Sequence, residues 1–328
     1  MSISVAKRWM SLGGMRQPAE PMKARVRAFL VLLIWLCMNG VALAQPNIPG
    51  PTMGGKQVWS DVHAVGQWRI QRNLLTDHYR LLDEDNWRRA WGTYEECLAK
   101  LRQAQKDKGI GFKSEQLVIL VHGLGRSAGM FADMQAALEA AGYQCFAINY
   151  PSTRQSVKAH ADDMARLIEN LEGITEVSFV THSMGSLVVR EFLGRPAARN
   201  MAIKFNRLVM IAPPNQGSAI ARGFKNVALY EWLITETGQD LTPKNARDLP
   251  IPELEFGVIA GGRGNEIGYN PVLEGDDDGV VTVEETKLRG MKDFIVIDSP
   301  HGRIDNQPFT VREVLSFLGK GEFVHVAQ

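Results

Sequence analysis

The sequence has 328 residues, enough for one large domain or two ordinary ones. Hydrophobic residues make up 45% of it and charged residues 22%, while its 31 glycines and 15 prolines are too few for a collagen-like or disordered chain. A formal net charge of +1 argues against a dedicated nucleic-acid binder, because such proteins carry a clustered basic surplus.

The N-terminal segment 1–44 has the pattern of a signal peptide. It holds six basic residues and one acidic residue. The rest of the chain therefore has 37 − 6 = 31 basic and 36 − 1 = 35 acidic residues, which is a net charge of −4. A basic stretch at 23–27 precedes an apolar run that ends in the small-x-small pattern Ala-Leu-Ala at 42–44. We therefore expect cleavage near Ala44 and export to the periplasm or the medium, with Met22 as an alternative start.

The alternative to a cleaved signal is an N-terminal membrane anchor. Asn39 and Gly40 interrupt the apolar run, and a spanning helix needs about 20 consecutive apolar residues, so the pattern favours cleavage. Export would leave Cys97 and Cys145 in a compartment that permits disulfides. A bond between them and two buried free thiols are both compatible with the sequence.

The rest of the chain divides into a linker and one domain. Residues 45–57 are rich in proline and glycine and predict a flexible linker. From 58 to 328, short β-like runs alternate with helical segments, which predicts an α/β domain with a doubly wound, mostly parallel sheet.

The predicted elements of this domain begin with antiparallel strands and a tryptophan-rich helix at about 85–105. Six apolar runs then predict the strands of the parallel sheet, at 116–123, 143–151, 176–183, 207–214, 255–262 and 293–300. Most of these runs are continuously apolar, as in strands that helices cover on both faces. Helices are predicted at 127–141, capped by Ser127 and ended by Gly142, and at about 157–171, 184–194 and 308–318.

The segment 181–185, Thr-His-Ser-Met-Gly, stands between a predicted strand and a predicted helix. A serine at such a sharp turn projects its hydroxyl above the sheet, and the crowded backbone favours small residues two positions away on either side. Gly185 meets this requirement, whereas Thr181 stands where glycine is usual, which predicts a slightly altered turn. Ser183 is the candidate nucleophile, and the alternative is an ordinary serine cap at a helix start.

An earlier apolar strand ends in His122-Gly123-Leu124-Gly125. Acyl transfer needs backbone N–H donors aimed at the developing oxyanion, and glycine lets the backbone approach a substrate closely. The amides of Leu124 and of Met184, the residue after the candidate nucleophile, form the natural pair. The alternative is an ordinary glycine-rich loop, which is common in α/β proteins.

A serine nucleophile needs a base, which follows the acid in the chain order of this kind of fold. Two histidines follow Ser183, and His301 lies just beyond an apolar strand. His325 lies three residues from the C-terminus, where chains commonly fray, so His301 is the candidate base.

The candidate acid lies in the acidic turn Asp276-Asp277-Asp278-Gly279. Asp278 is preferred because it abuts Gly279 and the next apolar pair, and Asp276, Asp277 and Asp298 remain alternatives. The same turn is also compatible with a solvated loop or, more rarely, with a cation site built from oxygen ligands. No metal ligand set is predicted.

These motifs together resemble the lipase-like branch of the α/β-hydrolase superfamily over roughly residues 115–320. The segments Ala-Pro-Pro-Asn-Gln-Gly-Ser at 212–218 and Asp-Gly-Val-Val at 278–281 add to the resemblance. It implies an α/β-hydrolase fold with Ser183 as nucleophile, His301 as base, Asp278 as orienting acid, and Leu124 and Met184 as oxyanion donors.

Residues 218–252 are predicted to form a short helical cap inserted between two strands. The segment carries aromatic and aliphatic residues at near-helical spacing, and Phe224, Tyr230 and Trp232 are its candidate acyl-binding side chains. The alternative is that these residues pack on the body of the domain as core.

The predicted function is hydrolysis of carboxylic esters of apolar acyl groups through an acyl-enzyme intermediate, with no cofactor and no metal. The expected partner is a small acyl ester or a lipid, with transient contact of the cap with a lipid surface. An acyltransferase, thioesterase or amidase would use the same residues, since fold does not fix substrate. A non-catalytic exported binding protein on the same scaffold is the alternative from another class, and the sequence leaves the oligomeric state open.

Overall fold

The computed structural model describes residues 50–52, 57–218 and 240–325. The predicted signal peptide 1–44 lies outside these residues, as do Phe224, Tyr230 and Trp232 of the predicted cap. Within the described part of the chain, no helix is both long enough and apolar enough to cross a membrane.

An antiparallel sheet opens the described chain. Its strands are β1 (Gly50–Pro51), β2 (Trp59–Val65), β3 (Trp68–Asn73), β4 (Tyr79–Leu82) and β5 (Trp87–Gly92). They lie in the order β1-β5-β4-β3-β2. Gly50 and Pro51 pair with Arg88 and Trp87 of β5, so this part of the predicted flexible linker is instead an edge strand.

The prediction of a tryptophan-rich helix from about residue 85 is wrong for the first part of that segment. Trp87 and Trp91 lie in β5. Helix α1 (Tyr94–Lys108) begins only after Thr93, whose side chain accepts a hydrogen bond from the Glu96 amide in a capping box. The Thr-x-x-Glu spacing is therefore the sequence signal that marks the true start of this helix.

A second sheet of six described strands is parallel throughout. Its strands are β6 (Gln116–Val121), β7 (Cys145–Ala147), β8 (Glu176–His182), β9 (Lys204–Ile211), β10 (Glu255–Gly262) and β11 (Asp293–Asp298). They lie in the order β11-β10-β9-β8-β6-β7, and every neighbouring pair is parallel. The prediction of a mostly parallel sheet is confirmed.

Helices cover both faces of the parallel sheet. They are α2 (Ala132–Ala140), α3 (Val157–Glu169), α4 (Met184–Leu193), α5 (Pro196–Arg199), α6 (Pro243–Asp248), α7 (Val283–Thr286) and α8 (Pro308–Lys320), with 3₁₀ turns at Ala128–Phe131 and Ile304–Asn306. Leu117 and Ile119 of β6 pack in one core cluster with α3 and α4. Val118 and Leu120 point the other way, into a cluster with α2 and α8, so the sheet is doubly wound.

The helix predicted from Ser127 starts differently. A 3₁₀ turn comes first, and the Ser127 side chain makes no capping hydrogen bond. The carbonyl of Ser127 instead accepts from the amide of Met130, 3.0 Å away. The α-helix begins only at Ala132.

Asp61 in β2 joins the antiparallel sheet to the edge of the parallel one. Its backbone N–H donates to the Asn149 carbonyl at 2.9 Å, and its Oδ2 accepts from the Asn149 amide at 2.7 Å. Gln71 and Arg69 donate to the same carboxylate, at 2.6 and 3.2 Å. Burial raises the pKa of Asp61, and these donors oppose that effect.

Cys97 and Cys145 are buried free thiols that belong to different core clusters. Burial raises the pKa of each to about 12. Of the two alternatives that the sequence allowed, the structure has the free thiols.

Candidate active site

Ser183 lies at the sharp turn between β8 and α4, with φ 53° and ψ −126°. A non-glycine residue with positive φ is strained, and such strain is common at active sites. A Cβ atom on Gly185 would lie 2.4 Å from the Val121 carbonyl oxygen, so the turn packs directly against the end of β6 and requires glycine there.

Thr181, which stands where glycine is usual, is accommodated at the base of this turn. Its side chain is fully buried, and its Oγ1 lies 2.7 Å from Ser186 Oγ and donates to the Val209 carbonyl at 3.3 Å. Because the hydroxyl is satisfied, burial carries little penalty. Ser183 keeps its positive φ although threonine stands at 181 in place of the usual glycine.

The structure brings Ser183, His301 and Asp278 together. His301 Nε2 lies 3.0 Å from Ser183 Oγ, and His301 Nδ1 lies 2.6 Å from Asp278 Oδ2. The His301 amide also donates to the Asp278 carbonyl at 2.8 Å. Asp278 is buried, and its other carboxylate oxygen accepts from the amides of Val280 and Val281 at 2.9 and 2.8 Å. This arrangement can move a proton from the serine hydroxyl to the imidazole while the carboxylate holds the ring.

The other candidate acids have different partners. Asp276 accepts from the amides of Arg263 and Gly264, at 2.7 and 2.9 Å. Asp277 is buried and accepts from the Gly279 amide at 2.6 Å, and Asp298 accepts from the Tyr269 hydroxyl at 2.7 Å. The acidic turn is thus a set of carboxylates that satisfy backbone amides, and no group of three metal-binding side chains occurs among the described residues.

His325, the other histidine after Ser183, lies elsewhere. It is exposed, and its Nε2 is 2.8 Å from Asp293 Oδ1. Asp293 begins β11, whereas His301 follows the opposite end of that strand. Strand direction therefore separates the two histidines.

The candidate oxyanion donors flank the serine. Met184 is the first residue of α4, where backbone N–H groups have no partner within the helix and the helix dipole favours negative charge. Leu124 follows Gly123, whose backbone packs on the turn so closely that an added Cβ would lie 3.0 Å from Ser183 Cβ. Neither amide donates to an acceptor within the described residues.

A hydrogen-bond network that the sequence did not reveal anchors the Leu124 loop. The Gly125 amide donates to the buried Ser152 hydroxyl at 3.0 Å. Gln57 donates to the Arg126 carbonyl at 3.2 Å and accepts from the Thr153 hydroxyl at 2.6 Å. Gln57 belongs to the predicted flexible linker 45–57, and no local pattern marks it as a partner of a loop that lies 69 residues away.

A row of buried rings lies beneath the site. His182 donates from Nε2 to the His301 carbonyl at 3.0 Å. His122 donates from Nδ1 to the Gly123 carbonyl at 2.8 Å and stacks on Tyr150, and His160 packs edge-on against the same tyrosine. Burial lowers the pKa of His122 to about 4 and that of His160 to about 3, and burial together with the neighbouring His301 lowers the pKa of His182.

We expect these buried imidazoles to make the protein acid-sensitive. Each is neutral when folded and has an unperturbed pKa of 6.5. Stability is therefore fully present above pH 6.5 and is lost as the pH falls toward the folded values, by up to about 1.4 kcal/mol per pH unit for each histidine. Urea unfolding between pH 7.5 and 4.5 measures the slope.

The variant for this measurement is His160→Phe, compared with the wild-type protein. Phenylalanine retains the edge-on contact with Tyr150 but cannot be protonated, so the slope should fall by about one proton. An unchanged slope in His160→Phe would contradict the assignment of a buried neutral imidazole.

The described ends of the predicted cap insertion meet on one side chain of α4. Arg190 is fully buried, and it donates to the Asn215 side chain at 3.1 Å, to the Pro250 carbonyl at 3.1 Å and to the Leu249 carbonyl at 2.7 Å. Asn215 precedes the insertion and Leu249 and Pro250 close it. Burial lowers the pKa of Arg190 to about 10.

The family model described as Domain of unknown function (DUF7379) matches residues 78–252, which is more than half of the chain. No curated protein matches the sequence.

Among solved structures, the mature form of the Bacillus licheniformis lipase BlEst2 is similar with a TM-score of 0.51 and 19% identity, over 62% of this chain and 90% of that one. Its propeptide form has a TM-score of 0.52 and 19% identity, over 64% of this chain and 52% of that one, about half of its length. With the parallel sheet and its flanking helices, this likeness shows the α/β-hydrolase fold.

Proposed function

The chain belongs to the DUF7379 family, a domain of unknown function, and we propose that it is a serine hydrolase that cleaves carboxylic esters of apolar acyl groups. The observation that carries this proposal is the hydrogen-bonded series Asp278–His301–Ser183, with distances of 2.6 and 3.0 Å. A serine hydroxyl is a weak nucleophile near neutral pH, and a base held by a carboxylate activates it.

In the proposed reaction, Ser183 Oγ attacks the ester carbonyl while its proton passes to His301 Nε2. The amides of Leu124 and Met184 stabilise the oxyanion of the tetrahedral intermediate. The intermediate collapses to an acyl-serine, and the alcohol leaves with the proton from His301. Water then attacks the acyl carbonyl while its proton passes to His301. The second tetrahedral intermediate collapses, Ser183 Oγ leaves with the proton from His301, and the carboxylic acid is released.

The ester class is supported by the similarity of fold to the lipase BlEst2. The apolar acyl group is inferred from the sequence of the predicted cap, whose Phe224, Tyr230 and Trp232 lie outside the described residues. We also propose, from the pattern at 1–44, that the protein acts after export.

The test is hydrolysis of p-nitrophenyl esters of graded acyl length by purified protein and by Ser183→Ala. We expect turnover that falls by roughly 10⁶ in the variant, with a preferred acyl length. A fluorophosphonate probe should label the wild-type protein at Ser183. It should also label Ser186→Ala, but it should not label Ser183→Ala. Turnover that survives in Ser183→Ala would overturn the proposal, and so would a protein that neither labels nor cleaves any ester.

A further inference from the structure

Two arginines stand on the loops that carry the proposed catalytic groups. Arg126 lies two residues after Leu124, and Arg303 lies two residues after His301. Both side chains are exposed, and neither forms an ion pair or a side-chain hydrogen bond within the described residues. The chain after residue 44 has a net charge of −4 by composition, and these two arginines place positive charge on the loops of the proposed catalytic groups.

The guanidinium of Arg126 lies against the loop that carries the proposed base. An added Cβ on Gly302, the residue after His301, would lie 3.0 Å from Arg126 Nη2. Glycine at 302 therefore leaves the space that this guanidinium occupies. Burial and the neighbouring His301 lower the pKa of His182, whose ring donates to the His301 carbonyl, and the charge of Arg126 adds a smaller effect in the same direction.

The backbone under Arg126 is held in place on both sides. Its amide donates to the Gly123 carbonyl at 3.3 Å, and its carbonyl accepts from Gln57 at 3.2 Å. Arg303 is held in a turn, because its amide donates to the Pro300 carbonyl at 3.0 Å. The two cations are thus fixed to the rim of the site at their backbones, although their side chains reach solvent.

A guanidinium offers paired N–H donors that fit a carboxylate or a phosphate, and no described side chain accepts those of Arg126. Burial raises the pKa of Asp305 and the charge of Arg126 opposes that effect, but the two form no ion pair among the described residues. A substrate oxygen anion bound to the guanidinium would neutralise it and accept its paired N–H donors.

We propose that Arg126 and Arg303 form an anion-binding rim and that the preferred ester carries a negatively charged oxygen group near the scissile bond. This inference rests on the proposed serine hydrolase function. The charged group belongs either to the acyl part, as a carboxylate at the end of its apolar chain, or to the alcohol part, as a phosphate, and two pairs of esters distinguish them.

The first pair is mono-p-nitrophenyl glutarate and p-nitrophenyl pentanoate, which share a five-carbon acyl chain. The second pair is 1-pentanoylglycerol 3-phosphate and 1-pentanoylglycerol. The readout is the ratio of kcat/KM for the anionic ester to kcat/KM for its neutral partner. We expect this ratio to fall about tenfold in Arg126→Gln/Arg303→Gln for one pair, and to fall less in Arg126→Lys, which keeps the charge.

Arg166→Gln/Arg289→Gln is the matched control, because both are exposed arginines outside the loops that carry the proposed catalytic groups, and this double variant also removes two positive charges. It should leave both ratios unchanged. A ratio that is the same in wild type and in the double variant for both pairs would overturn the anion-binding rim while leaving the hydrolase proposal intact.

Failure of the hydrolase proposal is recognised separately. Binding of the p-nitroanilides of glutarate and pentanoate, and of the two glycerol compounds, is measured on Ser183→Ala by calorimetry. Tighter binding of an anionic member that weakens about tenfold in the Arg126→Gln/Arg303→Gln background supports the rim even without turnover. Equal binding of both members of both pairs counts against it.

Discussion

Asp278→Asn should lower kcat by roughly 10⁴ while leaving the fold intact. The asparagine carbonyl oxygen can still accept the amides of Val280 and Val281, which now donate to Asp278 Oδ1. Its amide group would then face His301 Nδ1, where Asp278 Oδ2 lies 2.6 Å away. An amide donor there stabilises the tautomer with its proton on Nε2, and that tautomer cannot accept the proton of Ser183.

The matched control is Asp276→Asn, two residues earlier in the same acidic turn. Asp276 accepts from the amides of Arg263 and Gly264 and makes no contact with His301. We expect kcat within a few-fold of wild type, because an asparagine oxygen retains one such acceptor. Steady-state kinetics on the ester with the highest turnover decide the matter. Equal losses in the two variants would show that the turn as a whole, and not the Asp278 carboxylate, supports activity.

The choice among these aspartates shows where sequence reasoning stops. The strands and the serine turn follow from local patterns, because apolar runs and a glycine two residues on act over a few positions. Among the three consecutive aspartates, only the neighbouring Gly279 and apolar pair favour Asp278, and they leave Asp276 and Asp277 as alternatives. Their side chains point to different partners because each satisfies different backbone amides, and those amides are set by the loop that starts at Arg263.

Hydrogen-bond partners that lie far apart in the chain could not be predicted from the sequence either. Gln57 reads as part of a flexible proline- and glycine-rich segment, yet it binds the loop of Arg126 and the hydroxyl of Thr153. Composition reports average flexibility and carries no information about a single long-range hydrogen bond. The predicted start of the tryptophan-rich helix is wrong for a different reason. The capping box at Thr93 determines where the helix begins, whatever the composition of the residues before it.

Arg190→Met should destabilise the protein by about 3 kcal/mol or more. Methionine fills much of the same volume, but it leaves the carbonyls of Leu249 and Pro250 and the Asn215 side chain without this donor. An unsatisfied buried acceptor costs about 1–3 kcal/mol. Removing the buried charge recovers part of that cost, because burial already lowers the pKa of Arg190 to about 10.

The balance is unfavourable because Arg190 serves several acceptors with one guanidinium, a geometry that lysine cannot reproduce. Arg190→Lys should therefore restore only part of the lost free energy of unfolding in urea titrations. The control is Arg199→Gln, whose half-exposed side chain pairs with Glu253 at 2.8 Å and should contribute less than about 1 kcal/mol. Since the acceptors of Arg190 lie on both described ends of the 218–252 insertion, a small effect in Arg190→Met would mean that other contacts hold those ends to helix α4.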